Sequence, residues 1–311
     1  MTVAYGIAIG GYEHGVPDRP SLIGLARDVE AAGFDSIHVG DHIQWHAPIL
    51  EPTTLMATFA AVTERVRIAS DVIILPLRDP VLMAKTLASL DVMSDGRIIF
   101  GIGLGGDYAR EYEVMRIPLK ERGSRADESL ELIRGLLTHE RFSYHGRHFV
   151  VSDVEITPRP VQPAIPVWVG GFSDAALRRA AKCGDAWVAA FCGPDKFARL
   201  ASRLRELRAG QPGVGPAFSF AALVFVNVNA DAGRARADAA RYIERVYRLD
   251  GGRIIDRFGV VGPIGACADK LREFTRVGAD SIVLSLACDH RDWRRQVESL
   301  SRLIATERGA A

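Results

Sequence analysis

An acid and an imidazole stand side by side early in the chain, at Asp41 and His42. Imidazole titrates near neutral pH, so His42 can donate or accept a proton during a reaction. Asp41 can orient that imidazole, stabilise its charge or bind a ligand. A lone Asp-His pair is equally typical of a protein surface or a helix cap, so its meaning depends on the element that carries it.

The residues before this pair predict a helix followed by a short strand. Leu22 to Ala32 follow a helical pattern that Gly33 ends, and Ser36 to Val39 read as a largely apolar strand. Ligands of parallel α/β proteins bind outside the carboxyl ends of the strands. The strand therefore delivers Asp41 and His42 to the reactive edge of the sheet, and we predict both as catalytic residues.

The same junction of helix, glycine, aspartate and strand recurs along the chain. Gly33-Phe-Asp begins one copy, Gly278-Ala-Asp a second and Cys183-Gly-Asp a looser third. Repeated junctions of this kind predict βα units and a mostly parallel sheet. Eight apolar runs are candidate strands: Val3–Ile9, Ser36–Val39, Val66–Ile74, Arg97–Ile102, Pro166–Val169, Ala186–Ala190, Phe218–Val228 and Ser281–Leu286.

Eight strands separated by helical patterns predict an α/β fold, the (βα)8 TIM barrel, as one domain over residues 1–311. Two insertions interrupt it. Phe142 to Val151 predict a hairpin after strand four and its helix, turning at Gly146. The stretch Asp231 to Gly265, after strand seven, is too long for one crossover; it predicts a helix near Ala232–Leu249, followed by Gly251-Gly252.

Composition and charge exclude several classes of protein. The net charge of +1 gives no field that would attract nucleic acid or an acidic membrane. No apolar run approaches the roughly 20 residues that span a bilayer, and the N-terminus lacks the pattern of a signal peptide. The four cysteines and eight histidines show no metal-ligand spacing. We expect a cytoplasmic enzyme without a bound metal.

The order and spacing of several motifs are similar to those of the bacterial luciferase-like monooxygenase superfamily, whose members are flavin- and F420-dependent oxidoreductases. The resemblance runs from about Ala4 to about Leu286. The motifs are Gly33-Phe-Asp-Ser-Ile-His-Val-Gly-Asp-His42, Glu51-Pro-Thr-Thr-Leu, Thr63-Glu-Arg-Val-Arg-Ile68, Pro76 to Pro80, Gly96-Arg-Ile-Ile-Phe-Gly-Ile-Gly-Leu-Gly-Gly106, Glu121-Arg-Gly-Ser-Arg-Ala-Asp-Glu128, Pro166-Val-Trp-Val-Gly-Gly171, Val261-Gly-Pro-Ile-Gly and Gly278-Ala-Asp-Ser-Ile282.

The resemblance implies a flavin-like ring at the barrel mouth, against a bulge of the third strand that often holds a non-proline cis peptide. Here the bulge would fall within Val72, Ile73 and Ile74, where a plain buried strand is the alternative. Asp41 could also hydrogen-bond the ring system. Acid-histidine at this position is typical of the branch that uses the deazaflavin coenzyme F420.

The turn Gly170-Gly171-Phe172-Ser173 precedes a predicted helix and is the candidate phosphate site. Glycines let backbone N–H groups approach an anion, and a helix N-terminus favours negative charge. The family places its cofactor phosphate around this turn. The alternative is a simple capped turn in which Ser173 is the N-cap.

The run Gly101 to Gly106 satisfies the GxGxxG spacing of dinucleotide-binding folds, but the helix and acidic residue expected after it are missing. As in the similar family, Gly103 and Gly105 would instead keep the backbone close to a flat ring. The family's sugar-phosphate dehydrogenase branch has Gly-Glu here, whereas this chain has Asp107, and Trp45 follows His42 by three residues instead of four. Both departures disfavour that branch.

Five residues follow the ends of predicted strands, and we predict that they line a substrate pocket with aromatic walls and few polar groups. Each of them singly is also compatible with a packing or surface role. They are Glu13, Trp45, Asp107, Tyr108 and Phe191.

We therefore expect coenzyme F420-dependent hydride transfer to or from a small organic substrate. An FMNH2- and O2-dependent monooxygenase on the same fold is the alternative, with FMN in place of F420. A relative that binds a flavin or another ligand without catalysis is a third possibility. The resemblance also implies a homodimer.

Overall fold

The structure, a computed structural model, describes residues 3–209 and 218–309. Its strands, numbered along the chain, are β1 (Ala4–Ile9), β2 (Ser36–Val39), β3 (Arg67–Ser70), β4 (Ile73–Ile74), β5 (Ile98–Gly103), β6 (Phe142–His145), β7 (Val150–Val154), β8 (Val167–Gly170), β9 (Ala186–Ala189), β10 (Ser219–Val228), β11 (Val260–Gly262) and β12 (Ser281–Leu286). The predicted domain over 1–311 also includes residues 1–2, 210–217 and 310–311, which lie outside the described residues.

Eight of these strands close into a parallel barrel. The order is β1, β2, β3, β5, β8, β9, β10 and β12, and β12 pairs with β1 again. Every residue of β5 and β12 is buried, as expected for strands covered by helices outside and by packed side chains inside. The predicted (βα)8 barrel is confirmed, and each of the eight predicted apolar runs overlaps a barrel strand.

Helices surround the barrel, and none among the described residues is long and apolar enough to cross a membrane. Three short 3-10 helices occupy Leu75–Leu77, Leu119–Glu121 and His290–Asp292. The α-helices are α1 (Arg19–Ala31), α2 (Pro52–Val62), α3 (Pro80–Met93), α4 (Arg110–Val114), α5 (Arg122–Thr138), α6 (Asp174–Cys183), α7 (Pro194–Ala209), α8 (Ala232–Tyr247), α9 (Gly251–Phe258), α10 (Ile264–Arg276) and α11 (Trp293–Gly309).

The first three helices begin in the same way, with an acidic cap and a proline in the first turn. Asp18, Glu51 and Asp79 each accept a hydrogen bond from the backbone N–H three residues later. The caps satisfy N–H groups that have no partner inside the helix, and proline fits the first turn because it lacks that N–H. These helices therefore begin at defined residues close to the barrel mouth.

The recurring aspartate of the junction motif joins neighbouring strands at their N-terminal ends. The Asp35 carboxylate accepts from Tyr5 N at 2.7 Å, and Asp185 accepts from Val167 N at 2.8 Å. Asp280 accepts from Phe220 N at 2.9 Å. In each case the aspartate precedes one strand and binds the strand beside it. The motif is thus a structural feature of barrel closure, at the end opposite the mouth.

The third strand differs from its prediction. Val66–Ile74 was expected to be one strand, but β3 ends at Ser70 and β4 resumes at Ile73. Between them lies a non-proline cis peptide that joins Asp71 to Val72. The bulge therefore begins one residue before the predicted stretch Val72–Ile74.

Two additional units lie outside the barrel strands. β6 and β7 form an antiparallel pair, and α8 and α9 pack together after β10. Helix α9 begins at Gly251, where the sequence indicated only a Gly-Gly pair. A Cβ atom on Gly251 would lie 2.0 Å from Ala240 O, so the glycine is required for the close contact between these two helices.

Replacing Gly101 by alanine tests the packing of the bulge against β5. An added Cβ would lie 1.9 Å from Ser70 O, so we expect Gly101→Ala to lower the free energy of unfolding by about 3 kcal/mol or more. Gly24→Ala in α1 is the control, since its Cβ would meet no atom within 4 Å. Helix propensity predicts a gain of about 0.5–1 kcal/mol there. Equal denaturation curves for Gly101→Ala and the wild type would contradict the packing.

Candidate active site

A histidine and a buried glutamate meet at the barrel mouth. His42 follows β2, and Glu111 lies in α4, the first helix after β5. His42 Nδ1 is 3.0 Å from Glu111 Oε2, and the His42 side chain is 21 % exposed. A carboxylate only accepts hydrogen bonds, so Nδ1 carries the hydrogen of that bond. The other ring nitrogen, Nε2, is then the one available for proton transfer with a ligand.

Glu111 also organises the loop that carries His42. Its Oε1 accepts from the backbone N–H of Ile43 at 2.6 Å and of Gln44 at 3.3 Å. Trp45 completes the arrangement, because its ring stacks on His42 with centroids 3.6 Å apart and planes 10° from parallel. The imidazole is therefore held by a hydrogen bond at one edge and an aromatic face on one side.

Asp41 binds the bulge of the third strand, and its predicted catalytic and cofactor contacts stay predictions. Its carboxylate is buried and binds Arg78 Nη2 at 2.6 Å and Ile74 N at 2.9 Å. Burial raises the pKa of Asp41, while the Arg78 guanidinium and the Ile74 N–H oppose that shift. Asp41 thus ties the loop after β2 to the bulge, and the carboxylate that orients His42 is Glu111 instead.

Glu111 was not predicted as a site residue. The acid was sought at Asp107, directly after the glycines of strand four, and Asp107 is exposed. Glu111 lies four residues further, on a short helix, and its side chain is 1 % exposed. One feature of the sequence could have indicated it: an acid on a helix that follows the glycines can point back towards the barrel mouth. Its partner lies 69 residues away in sequence, which no local pattern reveals.

The three residues of the bulge that were predicted to contact the ring differ in exposure. Val72 is half-buried, whereas Ile73 and Ile74 are fully buried. Added Cβ atoms on Gly103 and Gly170 would lie 2.4 Å and 3.2 Å from the Val72 side chain, so both glycines make room for Val72. Gly105, at φ +56°, similarly packs against Ile74. The bulge presents Val72 as its accessible side chain.

The turn that was predicted to bind phosphate contains the N-cap of α6 and is partly exposed. Ser173 is the N-cap of α6 and accepts from Ala176 N at 3.2 Å, as in the simpler interpretation. Gly171 has φ +111°, a conformation that favours glycine. Phe172 is 48 % exposed, and the ammonium group of Lys196 lies 3.6 Å from its ring centroid. A cation therefore lies beside Phe172, the residue that follows these glycines.

Trp45 and Phe191, two of the predicted substrate residues, both contact Tyr247, which was not predicted as a site residue. Tyr247, the last residue of α8, lies 6.1 Å from Trp45 and 5.7 Å from Phe191, measured between ring centroids. Tyr108 contacts the far side of Trp45 at 6.1 Å. Phe191 has φ +48°, an uncommon backbone conformation for an aromatic residue. Helix α8 thus closes one side of the mouth with an aromatic wall.

Glu13 faces the charged side of α8 and not the aromatic wall. Its side chain has no exposed surface and pairs with Arg241 at 2.9 Å and Arg245 at 3.5 Å. His14 approaches the same carboxylate at 3.4 Å. Glu13 therefore joins the loop after β1 to the inserted helix, and its predicted contact with substrate stays a prediction.

A cavity of about 480 Å³ lies elsewhere, between helices α3 and α5 and the strands β5 and β8. Its lining includes Leu87, Phe100 and Ile133, which face the outside of the barrel. None of the predicted site residues lines it. Volume alone therefore does not locate the chemistry, and the polar groups at the mouth define the candidate site.

Comparison with known proteins shows the family of the chain. The family described as luciferase-like monooxygenase matches residues 5–281. The chain belongs to this family. A 36 % identical relative is an uncharacterised protein of Mycobacterium tuberculosis; the match spans 217 residues, 63 % of this chain and 74 % of the relative.

Two further comparisons concern proteins of named activity. An F420-dependent glucose-6-phosphate dehydrogenase of Nakamurella multipartita is 33 % identical over 181 residues, which are 54 % of this chain and 51 % of that protein. A solved monooxygenase of Streptomyces bottropensis superimposes with a TM-score of 0.87 at 21 % identity, covering 98 % of this chain and 99 % of the other. The second likeness shows the shared fold. This luciferase-like protein is accordingly an oxidoreductase.

Removing the Glu111 carboxylate tests its role in the luciferase-like mouth. We expect Glu111→Ala to lower the free energy of unfolding by about 2 kcal/mol, because His42 and the N–H groups of Ile43 and Gln44 lose their acceptor. Glu113→Ala on the same helix is the matched control. Glu113 is 63 % exposed and should change stability by less than about 0.5 kcal/mol. Urea unfolding measures both, and equal effects would contradict the role assigned to Glu111.

Proposed function

We propose that this luciferase-like protein catalyses coenzyme F420-dependent hydride transfer to or from a small organic substrate. The observation that carries the proposal is the His42–Glu111 pair, which holds one imidazole nitrogen and leaves the other for a ligand at the mouth. Hydride transfer between an alcohol and a carbonyl requires a group that takes or returns the hydroxyl proton. The 33 % identical relative from Nakamurella multipartita, described as F420-dependent, supports this cofactor class.

The residues at the mouth fit such a cofactor. A flat ring needs an apolar surface, which Val72 supplies on the bulge, and a phosphate needs N–H groups and a cation. Gly170, Gly171 and Ser173 would hold the phosphate, together with the ammonium group of Lys196 beside the half-exposed Phe172. When bound, the deazaflavin supplies the carbon that gives or takes the hydride.

The chain's own residues then handle the proton and the water. His42 Nε2 accepts the proton of a substrate hydroxyl or returns it to a carbonyl oxygen, while Glu111 and Trp45 keep the ring in place. Trp45, Phe191 and Tyr247 form an apolar wall that limits water at the reacting atoms. Asp41 acts indirectly, because its bonds to Arg78 and Ile74 hold the bulge in position.

An FMNH2- and O2-dependent monooxygenase is the second candidate function. The observation in its favour is the aromatic wall itself, since oxygenation by a reduced flavin requires a site that excludes water. A protein that binds a flavin or another ligand at the same mouth without catalysis is the third candidate. Cofactor identity and turnover separate these three functions.

Direct titration with the candidate cofactors tests the proposal. Purified protein is mixed with F420, FMN or FMNH2 under anaerobic conditions, and absorbance and fluorescence are followed. We expect F420 to bind with a Kd of about 1–10 μM, about −7 to −8 kcal/mol, and FMN to bind at least about tenfold more weakly. Preferential binding of FMNH2 followed by O2 consumption would favour the monooxygenase. Failure of F420, FMN and FMNH2 to bind would reject both enzymatic functions.

Replacing His42 separates catalysis from cofactor binding. We expect His42→Ala to lower kcat by about 10²–10⁴-fold while the cofactor Kd changes less than about threefold, because the imidazole handles a proton. His46→Ala is the control; it removes an exposed imidazole from the same loop, 4.8 Å from the Trp45 ring centroid. Equal losses of turnover and cofactor affinity in His42→Ala would identify His42 as a binding residue.

Three further expectations stay proposals. The homodimer and the cytoplasmic location come from the family resemblance and from composition. Specificity in such barrels depends on variable loops, so the substrate is proposed only as a small organic alcohol or carbonyl compound.

A further inference from the structure

Two buried titratable side chains face each other inside the barrel, below the proposed ring position. His38 lies on β2, and Asp71 follows β3, whose Ala69 is the strand partner of His38. His38 Nδ1 and Asp71 Oδ2 are 3.6 Å apart; the His38 side chain has no exposed surface, and that of Asp71 is 6 % exposed. Neither atom has a hydrogen-bond partner among the described residues. Two buried polar atoms without partners are a costly arrangement that needs an explanation.

The surroundings place the charge of this pair on Asp71. His38 Nε2 is 2.8 Å from Ser36 Oγ, and the Trp168 ring lies 5.5 Å away. Burial, aided by the positive charge of Arg67, lowers the pKa of His38 to about 3, so its ring is neutral. Its Nδ1 is then an acceptor if Nε2 donates to Ser36.

Asp71 lacks the partner that stabilises most buried carboxylates. Within residues 3–209 and 218–309 it forms no ion pair with a lysine or an arginine, and burial raises its pKa to about 7. The remaining titratable group that faces it is Tyr247, whose pKa is raised by burial and by the charge of Asp71. Asp71 therefore changes between carboxylate and carboxylic acid near neutral pH.

The pair is adjacent to the surface that a cofactor would cover. Asp71 is bonded directly to Val72, whose side chain fills the space at Gly103 and Gly170. Tyr247, which faces Asp71, also belongs to the aromatic wall beside Trp45. A ring that lies on Val72 removes water from the small exposed part of Asp71. Removing water disfavours a carboxylate and favours the acid.

We propose that Asp71 is a proton-holding residue of the active site: when a flat cofactor ring lies on Val72, the Asp71 carboxylate takes one proton from solvent and donates the new O–H to His38 Nδ1. The proposal rests on the proposed function for the class of cofactor. The step forms one O–H bond on Asp71, consumes one solvent proton and transfers no electrons. The Asp71–His38 pair is then neutral and hydrogen-bonded while the site is closed.

Calorimetric titration measures the proton directly. F420 binding is followed from pH 5.5 to pH 8.5 in two buffers that differ in ionisation enthalpy, so that the number of protons taken up is obtained at each pH. We expect the wild type to take up about one proton more than Asp71→Asn at pH 8, and about the same number at pH 5.5. The wild-type affinity should fall by up to about tenfold per pH unit above neutrality relative to Asp71→Asn.

Three variants make the result specific. Asp71→Asn is uncharged and similar in shape, so it should bind F420 at pH 8 without the additional proton. Asp269→Asn removes an exposed acid of α10, 71 % exposed, and should keep the wild-type uptake. His38→Gln places an amide beside the carboxylate; if its N–H donates to Asp71, the carboxylate is favoured and uptake shifts to lower pH. Equal proton uptake by the wild type and Asp71→Asn would overturn the inference and leave the proposed function standing.

The titration of Asp71 can also be tested without a cofactor, by measuring the melting temperature as a function of pH. The pKa of Asp71 is raised in the folded protein, so its stabilising contribution is present below the unfolded value and is lost as pH rises to about 7. The melting temperature of Asp71→Asn should therefore rise relative to the wild type between pH 4 and pH 8. A constant difference would overturn the inference. Failure of F420, FMN and FMNH2 to bind at every pH would reject the proposed function, and the proton coupling with it.

Discussion

The site depends on one buried ion pair, between Asp41 and Arg78. The Asp41 carboxylate lies just beyond β2 and reaches across to the bulge, where it binds Arg78 and the backbone N–H of Ile74. Because the bulge is held there, Val72 is directed between Gly103 and Gly170. The same bonds occupy Asp41, so His42 is oriented by Glu111 from the other side of the mouth. Breaking one side of a buried ion pair leaves a costly charge, which makes Asp41 a structural requirement of the chemistry.

The residues that secure the barrel and the residues of the candidate site lie at opposite ends of the barrel. At the N-terminal ends, Asp35, Asp185 and Asp280 each accept a backbone N–H of the adjacent strand and secure the closure of the sheet. At the carboxyl ends, acids and imidazoles come from loops and from short or inserted helices. Residues at the first end repeat along the sequence because the same junction recurs. Those at the second end do not repeat, since each belongs to a different loop.

This separation explains what the sequence predicts and what it does not. Strand positions follow from local patterns, because each apolar run is continuous in the sequence and three of the runs follow the junction motif, and all eight strands were located. The bulge in the third strand begins one residue before the predicted stretch, because an apolar run does not show which peptide bond leaves the sheet. Glu111 and Tyr247 were missed because their site partners, His42 and Trp45, are distant in sequence.

Two imidazole–carboxyl pairs, His42–Glu111 and His38–Asp71, lie in opposite environments, and this decides what each can do. In the His42–Glu111 pair the imidazole is 21 % exposed, the carboxylate is bound by backbone N–H groups, and the charge is stabilised before any ligand arrives. Such a pair exchanges a proton with a substrate at little reorganisation cost. In the His38–Asp71 pair both groups are buried and no N–H or cation compensates the carboxylate within the described residues. In the proposed function, its protonation follows the access of water to the mouth, and His42 is the residue that exchanges a proton with the substrate.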